Sequence, residues 1–168
     1  SAYKIGNSIK ERHFAKKNAL FLQEFYSNEI DENRLTKFRQ KFTQDEKYRN
    51  KVMEQISIYN DRFINNQKSK ILANLFVSYI EDKMDWDYYL ELAHCLNSLS
   101  PKTILLLHTI SKMDFRIPFD SELAEQSVLG ILTSSGILST VVDNDYNFKA
   151  TIGYDLYVYG KMSKSNNE

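Results

Sequence analysis

Apolar residues recur every three or four positions through the first two thirds of the chain, a period typical of amphipathic helices. The widest apolar stripe runs from Ile71 to Ile80. Phe14, Phe21 and Phe25 are seven and four positions apart, so they align on one side of a first helix. Helices are therefore predicted at about 3–26, 31–42, 46–64, 71–80, 85–99 and 101–113.

Polar residues at the predicted helix boundaries support these limits. Asp31 and Asp85 are typical N-caps for the helices that follow them. Thr43 and Glu46 have the spacing of a capping box, in which each side chain accepts from the other residue's amide. Ser100 before Pro101 predicts a helix that begins at the proline.

After Met113 the period changes. Pro118 excludes a helix across a short extended segment, and a helix is then predicted over about 121–135, ended by Gly136 at a C′ position. The runs 137–142 and 146–152 predict a β-hairpin, followed by a last helix over 154–162.

The order helix, strand, helix, hairpin, helix is that of a winged helix in which one helix is missing or vestigial, because the 17 residues between Pro118 and Gly136 are too few for two helices. We predict a mainly α fold with minor β content. A multi-helix domain covers residues 1–99, a degenerate winged-helix-like subdomain with a β-hairpin covers 100–163, and 164–168 form a disordered tail.

The charges are balanced overall, with 22 Lys and Arg against 22 Asp and Glu, but they are unevenly distributed. A basic run on the first helix predicts contact with an anionic membrane surface or a nucleic acid, although a solvated helix face is the more common origin of such a run. Its residues are Lys4, Lys10, Arg12, Lys16 and Lys17, and Arg34, Lys37, Arg39 and Lys41 follow.

The helix predicted at 121–135 has the charge opposite to that of a DNA-reading helix. It carries Glu122 and Glu125 and no Lys or Arg. Because DNA affinity depends first on cations that neutralise phosphates, we do not expect DNA binding through this subdomain.

No pattern of catalytic or metal-binding residues is present in the sequence. His13, His94 and His108 belong to three different predicted helices, and the neighbouring His94 and Cys95 point about 100° apart on a helix. The five glycines form no phosphate-binding loop. We therefore predict a protein that is not an enzyme and takes no cofactor or metal.

Two further features concern the protein's surroundings. Cys95 is the only cysteine, which fits a reducing compartment, and no apolar run approaches the roughly 20 residues that span a bilayer. The chain begins without Met, so we expect a fragment of a longer protein.

Aromatic residues are numerous, with 11 Tyr and 10 Phe. Part of this surplus predicts an exposed interaction patch, for which core packing is the alternative. The candidates are Tyr88, Tyr89, Tyr157 and Tyr159.

Three segments, 9–17, 67–76 and 79–99, resemble an uncharacterised family of mainly helical bacterial proteins often found in prophage or mobile-element contexts. The resemblance covers about residues 5–160 and rests on structural rather than chemical motifs. It implies an apolar segment upstream of the first basic helix, and it implies no activity and no catalytic residues.

We therefore expect a non-enzymatic, cytosolic protein-interaction domain, the soluble part of a membrane-associated bacterial or prophage protein. Its protein partner is unknown, an anionic membrane surface is a second expected contact, and a homo-oligomer is compatible with this interpretation. The alternative is a nucleic-acid-binding regulator that uses the basic N-terminal helices.

Overall fold

The computed structural model of the protein describes residues 2–63, 65–138 and 147–163, with the backbone alone for residues 2–9. Within these ranges the chain is mainly α-helical with one two-stranded antiparallel sheet, which confirms the prediction of a mainly α fold with minor β content. The helices are α1 (Ala2–Ser27), α2 (Glu32–Gln44), α3 (Glu46–Arg62), α4 (Asn66–Ile80), α5 (Trp86–Ser98), α6 (Pro101–Ser111), α7 (Gln126–Ser134) and α8 (Thr151–Tyr159). The strands are β1 (Arg116–Pro118) and β2 (Asn147–Lys149), and a 3₁₀ turn covers Glu122–Ala124.

Three of the predicted helix caps are confirmed. The Asp31 carboxylate accepts a hydrogen bond from the Arg34 amide at 3.0 Å. The Asp85 carboxylate accepts one from the Tyr88 amide at 2.8 Å. Ser100 caps α6, whose first residue is Pro101. These local signals set the helix starts because each side chain satisfies an amide of the first turn that has no partner within the helix.

The capping box predicted at Thr43 and Glu46 is wrong. Thr43 lies inside α2, which continues to Gln44. The cap of α3 is Asp45, whose carboxylate accepts from the Tyr48 amide at 2.9 Å. Asp45 also ends α2, because its backbone is extended while its amide still donates to the Lys41 carbonyl oxygen. One aspartate thus serves both helices.

By their internal contacts the residues divide into two compact units, 1–93 and 94–168. We call them the N-terminal unit and the C-terminal unit. The division falls inside α5, six residues before the domain limit predicted at residue 99.

The centre of the N-terminal unit is α4. Helices α1 and α2 both pack against α4, and α3 packs against α1 and α2. The sequence predicts one apolar stripe at 71–80, but α4 begins at Asn66 and is buried around most of its circumference, polar residues included. The aromatic ring of Phe76 in α4 is surrounded by five other aromatic rings at centroid distances of 5.5–6.1 Å. These rings belong to Phe21, Phe25, Phe38, Tyr79 and Tyr89.

The C-terminal unit contains the sheet. β1 pairs antiparallel with β2, with Arg116 opposite Lys149 and Ile117 opposite Phe148. Helix α6 packs against α8. The two helices approach closely at Gly153 of α8, where an added Cβ would lie 3.0 Å from a Leu107 methyl carbon of α6 and 2.6 Å from a methyl carbon of Ile137, which follows α7.

Two predictions for the C-terminal unit need correction. The helix predicted at 121–135 is divided into the 3₁₀ turn and α7, because Glu125 between them has a non-helical ψ of 138°. Strand β2 matches part of the second strand of the predicted hairpin, but its described partner is β1, and Ile137 and Leu138 belong to no strand. The rest of the hairpin, residues 139–146, lies outside the described residues, as does the tail after 163.

The remaining boundaries of this unit agree more closely. Gly136 follows α7 with a φ of +78°, the left-handed conformation predicted for a C′ glycine. The last helix, α8, begins at Thr151 and ends at Tyr159, three residues earlier at both ends than predicted.

Candidate anion-binding cleft

The basic residues predicted on the first helix do not form one surface. Lys10, Arg12 and Lys16 are exposed on α1, whereas the Lys17 side chain is fully buried. Lys4 belongs to the segment whose side chains lie outside the described residues. Lys17 therefore has to be removed from the predicted anionic-surface contact, because a buried ammonium group cannot touch an external partner.

Lys17 has an internal role instead. Its Nζ donates to the carbonyl oxygen of Phe63, the residue that ends α3, where helix carbonyls lack partners within the helix. The Nζ also lies 5.9 Å from the centre of the Phe63 ring. Burial lowers the pKa of Lys17, an effect that the nearby Asp61 partly opposes. Lys17 thus links α1 to the end of α3.

The predicted aromatic patch also changes. Tyr89 is fully buried and cannot belong to an exposed patch, while Tyr88, Tyr157 and Tyr159 are half-buried. The Tyr157 hydroxyl lies 3.2 Å from Nδ1 of His108 within the C-terminal unit. Tyr88 belongs to the N-terminal unit, and the other two half-buried candidates belong to the C-terminal unit, so neither unit by itself carries the four-residue patch.

The other candidate chemical groups are dispersed. His94 is exposed, and Cys95 is buried with its thiol donating to the Ser135 carbonyl oxygen at 3.2 Å. In the described parts of the chain, no group of three or more His, Cys, Asp and Glu is placed to hold a metal ion. None of the described helices combines the length and the apolarity that crossing a bilayer requires.

The charge of the chain is strongly polarised along the sequence. Residues 1–80 hold 15 Lys and Arg against 9 Asp and Glu, a net charge of +6. Residues 81–168 hold 7 against 13, a net charge of −6. The helix α2 is the most basic part of the first segment, with four cations against Glu32 alone.

Three of the α2 cations line one cleft of about 170 Å³ in the N-terminal unit. Arg34, Lys37 and Lys41 follow each other at intervals of three and four residues, which places them on the same face of α2. We call this site the basic cleft. Its lining residues are Arg34, Lys37, Phe38, Lys41, Tyr48, Tyr79, Ile80 and Asp82.

Two tyrosine hydroxyls from different helices meet at the basic cleft. The hydroxyl oxygens of Tyr48 in α3 and Tyr79 in α4 are 2.8 Å apart. Burial, supported by the bond to Tyr79, raises the pKa of Tyr48, so this hydroxyl stays neutral. Because one hydrogen is enough for the bond between the two oxygens, the second hydroxyl keeps a hydrogen that can be donated to a ligand.

Arg34 and Lys41, two of the cations of the cleft, are held differently. The Lys41 Nζ lies 4.2 Å from the centre of the Tyr48 ring, a cation–π distance. Arg34 forms an ion pair with Asp82, whose backbone adopts a left-handed φ of +56° in the turn after α4. Both side chains of this pair are substantially exposed, at 40% and 67%, so the pair adds little stability and can be exchanged for a ligand.

Sequence reasoning found the cations of α2 but not the cleft. The spacing of Arg34, Lys37 and Lys41 is a local signal that was available. Tyr48, Tyr79 and Asp82 complete the site from other parts of the chain, and no local pattern indicates that they meet there.

The resemblance to a prophage-associated family rests only on the three sequence segments described above, and it stays a prediction. Comparisons of the chain with protein-family models, with curated proteins and with solved structures found no match. The function of the basic cleft therefore has to be inferred from its own geometry and charge.

Proposed function

We propose that this chain is a non-enzymatic interaction domain that binds an anionic partner through the basic cleft. The observation that carries the proposal is the convergence of Arg34, Lys37 and Lys41 on one concave site with a single acidic group, Asp82. The formal charge of the lining is three positive charges less one negative charge, or +2. A concave site with this charge attracts anions and concentrates them near its surface.

The chemistry of the lining supports binding rather than catalysis. Cationic side chains and a neutral tyrosine hydroxyl donate hydrogen bonds, which suits the recognition of an oxyanion. The carboxylate of Asp82 is engaged with Arg34, and burial moves the pKa of Tyr48 away from the neutral range in which a general base works.

The charge distribution of the N-terminal segment supports the same proposal. The N-terminal unit as a whole holds 16 Lys and Arg against 14 Asp and Glu over residues 1–93, a net charge of +2, so the positive field around the cleft comes mainly from the cations of α2. Such a field raises the rate at which an anionic partner associates, and its effect weakens as salt is added.

The test compares two double variants that remove the same amount of charge. Lys37→Gln with Lys41→Gln removes two cations from the cleft, whereas Arg39→Gln with Lys47→Gln removes two exposed cations that do not line it. The probes are a fluorescein-labelled oligothymidylate, anionic phosphatidylserine vesicles and a phosphorylated peptide, each at low and moderate salt. We expect at least one probe to bind in a salt-sensitive manner and to lose about tenfold affinity in the cleft variant alone. Equal losses in both variants, or no binding of any probe, would refute the proposal.

A second candidate function is nucleic-acid binding by the first helix. Arg12 and Lys16 are both exposed and four residues apart on α1, so they can contact neighbouring phosphates. This candidate predicts that Arg12→Gln with Lys16→Gln weakens oligothymidylate binding while the cleft variant leaves it unchanged.

We further propose that the C-terminal unit is a degenerate winged helix used for protein contact. The order α6, β1, 3₁₀ turn, α7 and β2, with β1 paired to β2, supports this interpretation. Helix α7 contains no charged residue, and Glu122 and Glu125 just before it are exposed. A helix of this composition favours an uncharged protein surface over a nucleic acid.

A further inference from the structure

We infer that the ligand recognised by the basic cleft is a phosphate monoester in its dianionic form. This inference rests on the proposed function, namely that the cleft binds an anion, and it specifies the chemical class. A phosphate monoester carries a charge of about −1.5 to −2 at neutral pH. The formal charge of +2 in the cleft matches a dianion, whereas a single diester phosphate would leave about one positive charge uncompensated.

The donors of the cleft are also of the kinds that a phosphoryl group uses. Lys37 and Lys41 each offer an ammonium group, and the tyrosine pair offers one further hydroxyl hydrogen. A monoester presents three terminal oxygens, so each of these groups can have an oxygen of its own. A diester presents only two.

The size of the cleft limits what it can hold. Its volume of about 170 Å³ leaves room for a group of a few non-hydrogen atoms. This is enough for a phosphoryl group and the first atoms of its ester. The ligand therefore inserts its terminal phosphate, and the remainder of the molecule stays outside.

Asp82 acts as an internal competitor for the phosphate. Its carboxylate already occupies the Arg34 guanidinium, so a phosphate has to displace it in order to gain that donor. Replacing Asp82 by Asn removes the competing charge and leaves a side chain of nearly the same shape. Asp82→Asn is therefore expected to tighten phosphate binding several-fold, opposite to the effect of Lys37→Gln.

The experiment is isothermal titration calorimetry of the full chain with phenyl phosphate and with its diester, methyl phenyl phosphate. We expect phenyl phosphate to bind at least about tenfold more tightly than the diester. The Lys37→Gln, Lys41→Gln variant should abolish this preference, the Arg39→Gln, Lys47→Gln control should retain it, and Asp82→Asn should increase it. Far-ultraviolet circular dichroism verifies that each variant is folded.

Two further arms distinguish the sources of the phosphate group. Tighter binding of a phosphotyrosine peptide than of phenyl phosphate, with no binding of the unphosphorylated peptide, assigns the site to a phosphorylated protein side chain. Equal binding of phenyl phosphate and inorganic phosphate assigns it to a free small phosphate. Both results support a site for a dianionic terminal phosphoryl group, as opposed to a diester.

The results that overturn this inference differ from those that overturn the proposed function. If methyl phenyl phosphate or oligothymidylate binds at the cleft as tightly as the monoester, the cleft binds anions but is not selective for a monoester. If no anionic probe responds to the cleft variant, both the inference and the proposed function fail.

Discussion

The hydroxyl group of Tyr89 provides the most direct test of the packing in the N-terminal unit. The side chain is fully buried among Phe76, Tyr79 and Trp86, at ring distances of 5.1–6.1 Å. Its oxygen has no hydrogen-bond partner among the described residues. A buried hydroxyl without a partner costs about 1–3 kcal/mol. Tyr89→Phe removes this oxygen and keeps the ring, so we expect the free energy of unfolding to rise by about that amount.

The same substitution at Tyr48 is the control, and it should have the opposite sign. The Tyr48 hydroxyl is bonded to that of Tyr79 at 2.8 Å. Tyr48→Phe removes this hydrogen bond, so we expect a loss of about 0.5–1.5 kcal/mol. Both changes delete one oxygen from a tyrosine of the N-terminal unit, and the two hydroxyls differ in hydrogen bonding and in burial, since Tyr48 is half-buried.

Urea unfolding followed by the fluorescence of Trp86, the single tryptophan, measures both variants. The slope of the unfolding free energy against urea has to stay constant for the comparison to report stability alone. In a thermal experiment each kcal/mol corresponds to about 2–4 °C for a chain of this size. A Tyr89→Phe variant that is as stable as the original chain or less stable would contradict this prediction, since the hydroxyl would then be satisfied in solution.

Three further predictions concern other parts of the molecule. Gly153→Ala should destabilise the C-terminal unit by about 1–3 kcal/mol because the added methyl group has no room, whereas Gly130→Ala should stabilise it by about 0.5–1 kcal/mol because Gly130 has open space around it in α7. A thermal shift assay that finds both changes neutral would contradict the described packing. Burial lowers the pKa of His108 below its usual 6.5, so the unfolded chain takes up a proton at a higher pH than the folded chain. The free energy of unfolding should therefore fall as the pH drops from about 6.5 to the lowered pKa, and urea midpoints across this range should fall less in a His108→Gln variant. Lys17→Ala should lower the free energy of unfolding by about 2 kcal/mol or more, because it removes buried packing and the hydrogen bond at the end of α3. The same change at its exposed neighbour, Lys16→Ala, should alter this free energy by about 0.5 kcal/mol at most, and equal effects of the two changes would place Lys17 on the surface.

The sequence contained more information on Lys17 than its charge indicates. Lys17 follows Phe14 by three residues and precedes Phe21 by four, so it lies on the apolar face of α1. Grouping the lysines by position along the chain placed Lys17 with exposed neighbours, whereas helical spacing separates it from Lys16. The sequence likewise contained information on the burial of Tyr89. It follows Trp86 by three residues, so the two rings share one side of α5, which favours a core position for Tyr89 over the interaction patch.

Other features were not accessible from local patterns. The pairing of β1 with β2 joins residues 29 to 33 positions apart, so no local pattern of the sequence indicates it. The capping box predicted at Thr43 and Glu46 does not form, because α2 continues past Thr43 to Gln44 and Asp45 caps α3 instead. In both cases the outcome depends on which of several locally acceptable arrangements packs best.

Local interactions by themselves determined the mainly helical fold, the caps at Asp31, Asp85 and Ser100, and the stop at Gly136, because each depends on residues within about one helical turn. Tertiary structure alone decided which polar groups are buried and which basic residues share a site. The basic cleft exists because the packing of α2, α3 and α4 brings the α2 cations to two tyrosine hydroxyls and Asp82. Burial and convergence depend on contacts between distant segments, and a helical period specifies only which face of a helix is apolar and not what it meets.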